Sequence, residues 1–464
     1  MFKKIWDCNP YIVIFISSIL LLQLLIANPG YYSHDELQKL DYILSNGFES
    51  YMKNYVSIHI GNEFGSPVRP FSFAVQGVYA LFMESYPIVV HLLDVLTHML
   101  VALLLYKLIV QFGVNKKIAL LSSLIFIFNP NTVIAIGWSA ALMDRHYVLF
   151  ALVALLAADK YIRFDSKYLH LIIVFFSSII AILSKETAIV TPALLIIVLI
   201  VQFKYIKTKK FWTVSILWLI PIVFYLLYRL PALLTSFNSS NVGAYSTSLL
   251  NVPENIWIYF AYPFLTNITE SISWIFLDMS LIWIAVMLNV FVSLSLGFIY
   301  KFKFSIYYLF FYVLFIVPVL LLPSTGGHYL YGSGLVLSTA LAAIILTDNK
   351  YKIFFRITGI LLMFVLITHS YNLQKYVYQR GSCMNKAMIT MESAYLSSNR
   401  PKYVSFKVDQ GAPLHVLRSI ITGRDRIGTN DSIVFKILNQ SEDVTSKDEL
   451  LLTMTQNCSV IKKK

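Results

Sequence analysis

Over the first 370 residues the chain alternates long apolar blocks with short polar connections. The blocks lie near 10–28, 88–112, 118–136, 147–162, 169–184, 188–203, 211–229, 280–299, 305–322, 332–347 and 353–370. They run to about 16–25 residues, around the ~20 that carry an α-helix across roughly 30 Å of hydrocarbon. The pattern predicts an all-α polytopic membrane protein with about 11 transmembrane helices. The first block, PYIVIFISSILLLQLLIAN, is longer than a signal-peptide core and has no small-residue cleavage site after it, so it is expected to remain as a span. Two further stretches, 69–83 and 255–265, are apolar but short or interrupted, and are expected to lie in the outer interface or re-enter from it. From residue 371 the pattern changes: 14 basic and 8 acidic residues follow with no 20-residue apolar run. That composition predicts a small C-terminal α/β domain, dividing the chain into a membrane part, 1–370, and a tail, 371–464.

Composition sharpens this picture. The 464 residues are 58% hydrophobic and 13% charged, against about a quarter charged in soluble domains; mean hydropathy is +0.69. The net charge of +13 does not form a nucleic-acid footprint, because Lys and Arg sit in clusters between apolar blocks. Connections after alternate spans hold Lys116 and Lys117, Lys160, Arg163 and Lys167, Lys204, Lys207, Lys209 and Lys210, Lys301 and Lys303, and Lys350, Lys352 and Arg356. With Lys3 and Lys4 these make 16 basic residues on one side. The positive-inside rule then places the N-terminus in the cytoplasm. The first loop, 29–87, the turns near 137–146, 184–187 and 323–331, and the tail face outward. Of three cysteines, Cys8 is expected to be cytoplasmic and reduced, whereas Cys383 and Cys458 share the oxidising side. Pairing them would close most of the tail, a contribution of about 4 kcal/mol in the loop-entropy account; two free thiols is the alternative.

Candidate chemistry gathers at the outward span ends. His34, Asp35 and Glu36 follow the first span, and Arg69 sits in SPVRPF. Asp144, Arg145 and His146 lie in GWSAALMDRHY, Lys185 and Glu186 in LSKETA, Arg229 in LLYRLP, and His328 in GGHYLYGSG. Charges near membrane depth are rare and usually line a functional cavity. Arg69, Arg145, Lys185, Arg229 and His328 suit a lipid phosphate. Asp35 and Glu36 suit removal of a proton from an attacking hydroxyl. His34, Asp144, Glu186, Tyr329 and Tyr331 are the remaining candidates for substrate contact. Each has a plainer reading: a solvated loop start for Asp35 and Glu36, snorkelling for Lys185, an interface anchor for Arg229. His328 among glycines reads as a turn, or as a place where a ligand approaches the backbone closely. His91 and His98, seven apart in the second span, read as packed or hydrogen-bonded core residues rather than a metal pair. No phosphate-binding glycine loop, dinucleotide fingerprint, zinc-type cysteine pattern or nucleophile elbow is present. Without a nucleotide motif, an outward-facing enzyme would have no ATP or sugar nucleotide and would need a lipid-linked donor.

The ordered motifs HDE, VRPFSF, HLLDVLTHMLVALLLY (91–106), the stretch 129–164 beginning NPNTVIAIGW, and ILSKETAIVTPALLII (182–197) resemble the membrane half of GT-C glycosyltransferases. IWIYFAYPFLTNITESISW (256–274) and GHYLYGSGLVLSTALAA (327–343) continue the resemblance, which covers roughly residues 20–345. The patterns are similar to those of O-mannosyltransferases that carry TPR repeats, although no such repeats occur here. Size, span number and short tail look more like bacterial O-antigen serotype-converting glucosyltransferases. The resemblance implies a polyprenyl-phosphate-sugar donor, an acid of the first outer loop as base, and inverting transfer to a polysaccharide hydroxyl on the periplasmic face of the inner membrane. It implies no required cofactor, since Lys and Arg can hold the phosphate charge and a divalent metal is optional. A flippase and a donor synthase are the partners it suggests, besides the bilayer; nucleic acid is not among them. Two rivals remain: an O-antigen polymerase or ligase, expected to use large late outer loops, and a transporter, expected to show broken helices and midplane charge. A lipid or protein glycosyltransferase of the same fold is a further alternative.

Overall fold

The computed structural model describes residues 9–56, 69–238, 248–265, 268–271, 274–277, 279–398, 401–424, 433–438 and 449–462; Cys8, Lys3 and Lys4 lie outside them. Helix α1 (Pro10–Leu21) starts where Asn9 accepts the Tyr11 N–H at 3.0 Å and Pro10 takes the first helical position. A four-residue helical turn, Gln23–Ile26, carries the chain out to the first loop. There α2 (His34–Asn46) begins on a capping box: Ser33 accepts the Asp35 N–H, and Glu36 reaches back to the Ser33 N–H. The helix α3 (Pro70–Met83) covers one of the two short apolar stretches. At 14 residues it is about 21 Å long, below the hydrocarbon thickness.

The membrane part follows as α4 (Pro87–Gln111), α5 (Lys116–Ile127), α6 (Pro130–Gly137), α7 (Leu142–Arg163), α8 (Tyr168–Ser184) and α9 (Lys209–Asn238). After them come α10 (Val252–Ala261), α11 (Met279–Tyr300), α12 (Phe302–Ile316), α13 (Tyr331–Ile345) and α14 (Lys352–Leu396). Among the described residues seven helices are long and apolar enough to cross a membrane, and α5 with α6, bent by 52°, makes an eighth. The bend falls at Asn129-Pro130, where Asn129 caps α6 and Pro130 cannot continue α5. The expected number of about 11 is therefore not reached by length and composition. The remaining expected spans are the shorter helices Pro10–Leu21, Tyr168–Ser184 and Glu186–Val201. The last opens as a 3₁₀ run with Pro192 inside it, and Pro disrupts regular helical bonding.

The 45-residue α14 runs through position 371 without a break, so the compositional shift falls inside one helix. Beyond it a four-stranded sheet has the order β4-β3-β5-β6. Its strands are β3 (Tyr403–Val408), β4 (Val434–Ile437), β5 (Glu449–Met454) and β6 (Val460–Lys462), with α15 (Leu414–Gly423) between β3 and β4. A hairpin, β1 (Ile268–Ser271) with β2 (Trp274–Leu277), precedes α11. β3 is parallel to β4 and β5, and β6 is antiparallel to β5. The α/β tail expected from composition is present, and Cys383 of α14 is bonded to Cys458, 75 residues on.

Two hydrophobic cores result. One joins the membrane helices. The other packs Leu37, Leu40 and Ile43 of α2 and Tyr79 and Met83 of α3 with Met384 and Met391 of α14, and with Phe406, Leu417 and Leu452 of the tail. Close approach fixes this second core. A Cβ on Gly423 would stand 2.6 Å from that of Leu37, and one on Gly30 would stand 2.3 Å from the Gly381 carbonyl oxygen. Arg380 donates to the Tyr32 carbonyl at 2.6 Å and lies over the Tyr32 ring. Arg424 pairs with Glu84 at 3.1 Å. The tail thus clamps the loop that carries Asp35.

Candidate active site

A small cleft opens where α2, α3, α4 and the turn after α6 meet. It is lined by Asp35, Glu36 and Lys39 of α2, Gln76 and Tyr79 of α3, and Ser139 and Ala140 of the turn, among others. The capping box sets the start of α2, so Asp35 and Lys39, four residues apart, fall on one helix face.

Glu36, expected with Asp35 to suit proton removal, holds backbone. Its Oε2 accepts from the N–H groups of Tyr32 (2.6 Å) and Ser33 (3.1 Å), and its Oε1 from Ser139 (2.7 Å). It is buried, and desolvation raises its pKa to about 7 against the pull of those three N–H groups. A carboxyl raised from 4.5 to about 7 favours the protonated fold. Its stabilising contribution is fully present below pH 4.5 and is lost as pH rises through 7, on the order of 3 kcal/mol by linkage. The stability difference between the wild-type protein and Glu36→Gln should therefore shift against the wild type between pH 5 and 8. Thermal unfolding in detergent measures this; parallel curves for the two proteins would contradict it.

Arg145, expected to bind phosphate, is fully buried at the start of α7. It forms an ion pair with Asp94 of α4 and donates to the carbonyls of Ala135 (2.7 Å) and Ile136 (3.0 Å) in the last turn of α6. The expected turn over 137–146 is shorter than the polar residues suggest: a 3₁₀ turn at Ser139–Ala141 leads straight into α7. Asp94 also accepts from the Ser139 hydroxyl at 2.5 Å. This ties a mid-helix ion pair to the residue whose N–H holds Glu36. Lys185 and Asp144 pair at 2.5 Å and are both 2% exposed. Arg69 forms a two-pronged pair with Glu186, with Nε to Oε2 at 2.7 Å. Adjacent Lys185 and Glu186 thus take different partners.

His328 lies in a 3₁₀ turn against Trp138, ring centroids 4.9 Å apart, and beside Tyr329, over whose ring Lys185 sits at 4.5 Å. Of the glycines around it, Gly332 serves helix packing, because a Cβ there would run into the Phe315 ring. Tyr331, expected to touch substrate, is fully buried and bonded to His98 at 2.8 Å. His91 bonds the Gly30 carbonyl at 3.1 Å; neither histidine joins a metal group. Arg229, half-buried at the end of its span, lies within electrostatic reach of Tyr225, as do Arg69 and Glu186. Among the described residues no group of three His, Cys, Asp or Glu is placed to hold a metal ion.

With these pairs made, Asp35 stands out. Its side chain is 40% exposed, with Ser33 Oγ at 3.3 Å and the His34 ring at 3.5 Å. Lys39 shares its cleft and was missed in the sequence, although the spacing D-x-x-x-K gives the signal. Asp94 was missed too, despite being a lone acid inside an apolar helix.

No family model matches this chain, and no curated protein does. Among solved structures, the chain is similar to ArnT from Cupriavidus metallidurans bound to undecaprenyl phosphate, with 13% identity and a TM-score of 0.46 over 93% of this chain and 86% of that one. It is also similar to the oligosaccharyltransferase AglB from Archaeoglobus fulgidus in complex with an inhibitory peptide and a dolichol-phosphate. There identity is 12% and the TM-score 0.47, over 91% of this chain and 64% of that one.

Proposed function

We propose that this chain is a GT-C-type membrane glycosyltransferase. It moves a sugar, with glucose as the first expectation, from a polyprenyl phosphate to a hydroxyl of a surface polysaccharide such as O-antigen. The reading places the cleft on the periplasmic face of a bacterial inner membrane, the N-terminus in the cytoplasm and the tail in the periplasm. The observation that carries it is the half-exposed Asp35 carboxylate on a cleft one short loop beyond the first apolar helix, in a site where the other acids already hold partners. There it meets a reacting group carried by a lipid held in the membrane.

In the reaction an acceptor hydroxyl oxygen attacks the anomeric carbon as its bond to the phosphate oxygen breaks. The hydroxyl proton passes to Asp35, and the polyprenyl phosphate leaves as the anion. Attack opposite the leaving phosphate inverts the anomeric centre. A phosphate whose charge is held needs no protonation to leave, so one base suffices. A metal is optional in this scheme, and a donor synthase and flippase supply the lipid-linked sugar. Cells with and without the gene test the assignment through the mass of their surface-polysaccharide repeat unit. One hexose gained per repeat is expected; altered chain length with an unchanged repeat would instead support the polymerase.

A further inference from the structure

Three of the cations singled out in the sequence pair with carboxylates in the fold: Arg145 with Asp94, Lys185 with Asp144 and Arg69 with Glu186. Lys39 is different. It lines the cleft beside Asp35, is half-buried, and among the described residues forms no ion pair. Its ammonium stands 4.0 Å from the centre of the Tyr55 ring and 4.9 Å from that of Phe73. Aromatic faces hold a cation in place without cancelling its charge. An ammonium held in this way and partly desolvated keeps its charge available to an anion.

We propose that Lys39 is the residue that binds the phosphate of the lipid-linked donor, one helical turn from the base. The inference rests on the glycosyltransferase reading and deepens it, since Arg69, Arg145 and Lys185, singled out in the sequence, have acidic partners in the fold. Position supports it: a phosphate at Lys39 places the bond to be broken along the face of α2 that also bears Asp35. The ligand chemistry is a phosphate monoester or diester anion, and its source is the lipid headgroup.

Electrostatics supply a second handle. Burial lowers the Lys39 pKa to about 8, Asp35 raises it and Arg69 lowers it further. Glu36 on the same helix, Tyr55 from the segment after α2 and Tyr79 of α3 are further titratable groups around the cleft. Lys39 is charged below pH 8 and neutral above, so its hold on an anion weakens as pH rises through 8.

The test is binding of undecaprenyl phosphate, without sugar, to the purified full chain in detergent, for the wild-type protein, Lys39→Met and Lys39→Arg. Methionine keeps the apolar stem against Tyr55 and Phe73, and thermal unfolding confirms that each variant folds. Lys39→Met is expected to bind at least ten-fold more weakly and Lys39→Arg to bind nearly as well as wild type. Wild-type affinity should fall several-fold between pH 7 and 9, and that of Lys39→Arg should not. Wild-type binding matched within two-fold by Lys39→Met would overturn the assignment while leaving the glycosyltransferase reading in place. Failure of the wild-type protein to bind undecaprenyl phosphate would overturn both. Inorganic phosphate displacing the lipid at equal concentration would overturn the lipid headgroup as the source.

Discussion

Arg145→Met, with Asp94 left in place, is expected to destabilise the protein by about 3–5 kcal/mol, because it strands a buried carboxylate without its partner. The change also removes the donors that hold the Ala135 and Ile136 carbonyls at the end of α6. Through the Ser139 hydroxyl the damage reaches Glu36 and the start of α2. Replacing both charges, as Asp94→Leu with Arg145→Met, should recover much of the loss, since a well-packed apolar pair can substitute for a buried ion pair. Thermal unfolding of the detergent-purified proteins measures the difference. A single variant as stable as wild type would show that the pair does not hold these helices together.

Asp35→Asn is expected to lower transfer by about 10²–10⁴-fold, the usual worth of general-base assistance. Asparagine keeps the size and the hydrogen bond with Ser33, and removes the basic lone pair. Stability should change by only about 0.3–1 kcal/mol, the cost of losing one acid from the first turn of α2. Loss of activity with an intact fold separates this residue from Glu36, whose replacement acts through the backbone it holds. Near wild-type transfer by Asp35→Asn would remove the residue from the chemistry.

The large features of this fold were legible because hydrophobic length is a direct physical signal. Alternation of apolar blocks with basic connections marked the helices, and the drop in apolar content marked the tail. Glu36, Asp144, Lys185 and His328 were singled out from the same alternation; in the fold Glu36 accepts from the Ser139 N–H, His328 packs on Trp138 and Lys185 pairs with Asp144. Helix boundaries were not legible. DRH after GWSAALM reads as a polar connection, yet Asp144 and Arg145 begin α7, because each finds an opposite charge on another helix. Position 371 read as a boundary because composition changed there; nothing in the local sequence stops α14, which continues as a partly buried helix beneath the sheet.

Charge pairing was the least legible feature, since it depends on which helices become neighbours. Arg145 and Lys185 appeared as free cations in one dimension and are neutralised in three. Glu36 appeared as a second catalytic acid, although S-x-x-E before an apolar run is itself a capping signature. Its burial follows from the turn at Ser139 folding over it, which no local pattern announces.

The most direct test of the account is a transfer assay with the purified chain, a polyprenyl-phosphate hexose and a surface-polysaccharide acceptor, following hexose on the acceptor and free polyprenyl phosphate together. The account predicts equal amounts of both products with wild-type protein, and their joint loss with Asp35→Asn. Wild-type protein that forms neither product would contradict it, as would transfer that Asp35→Asn leaves undiminished.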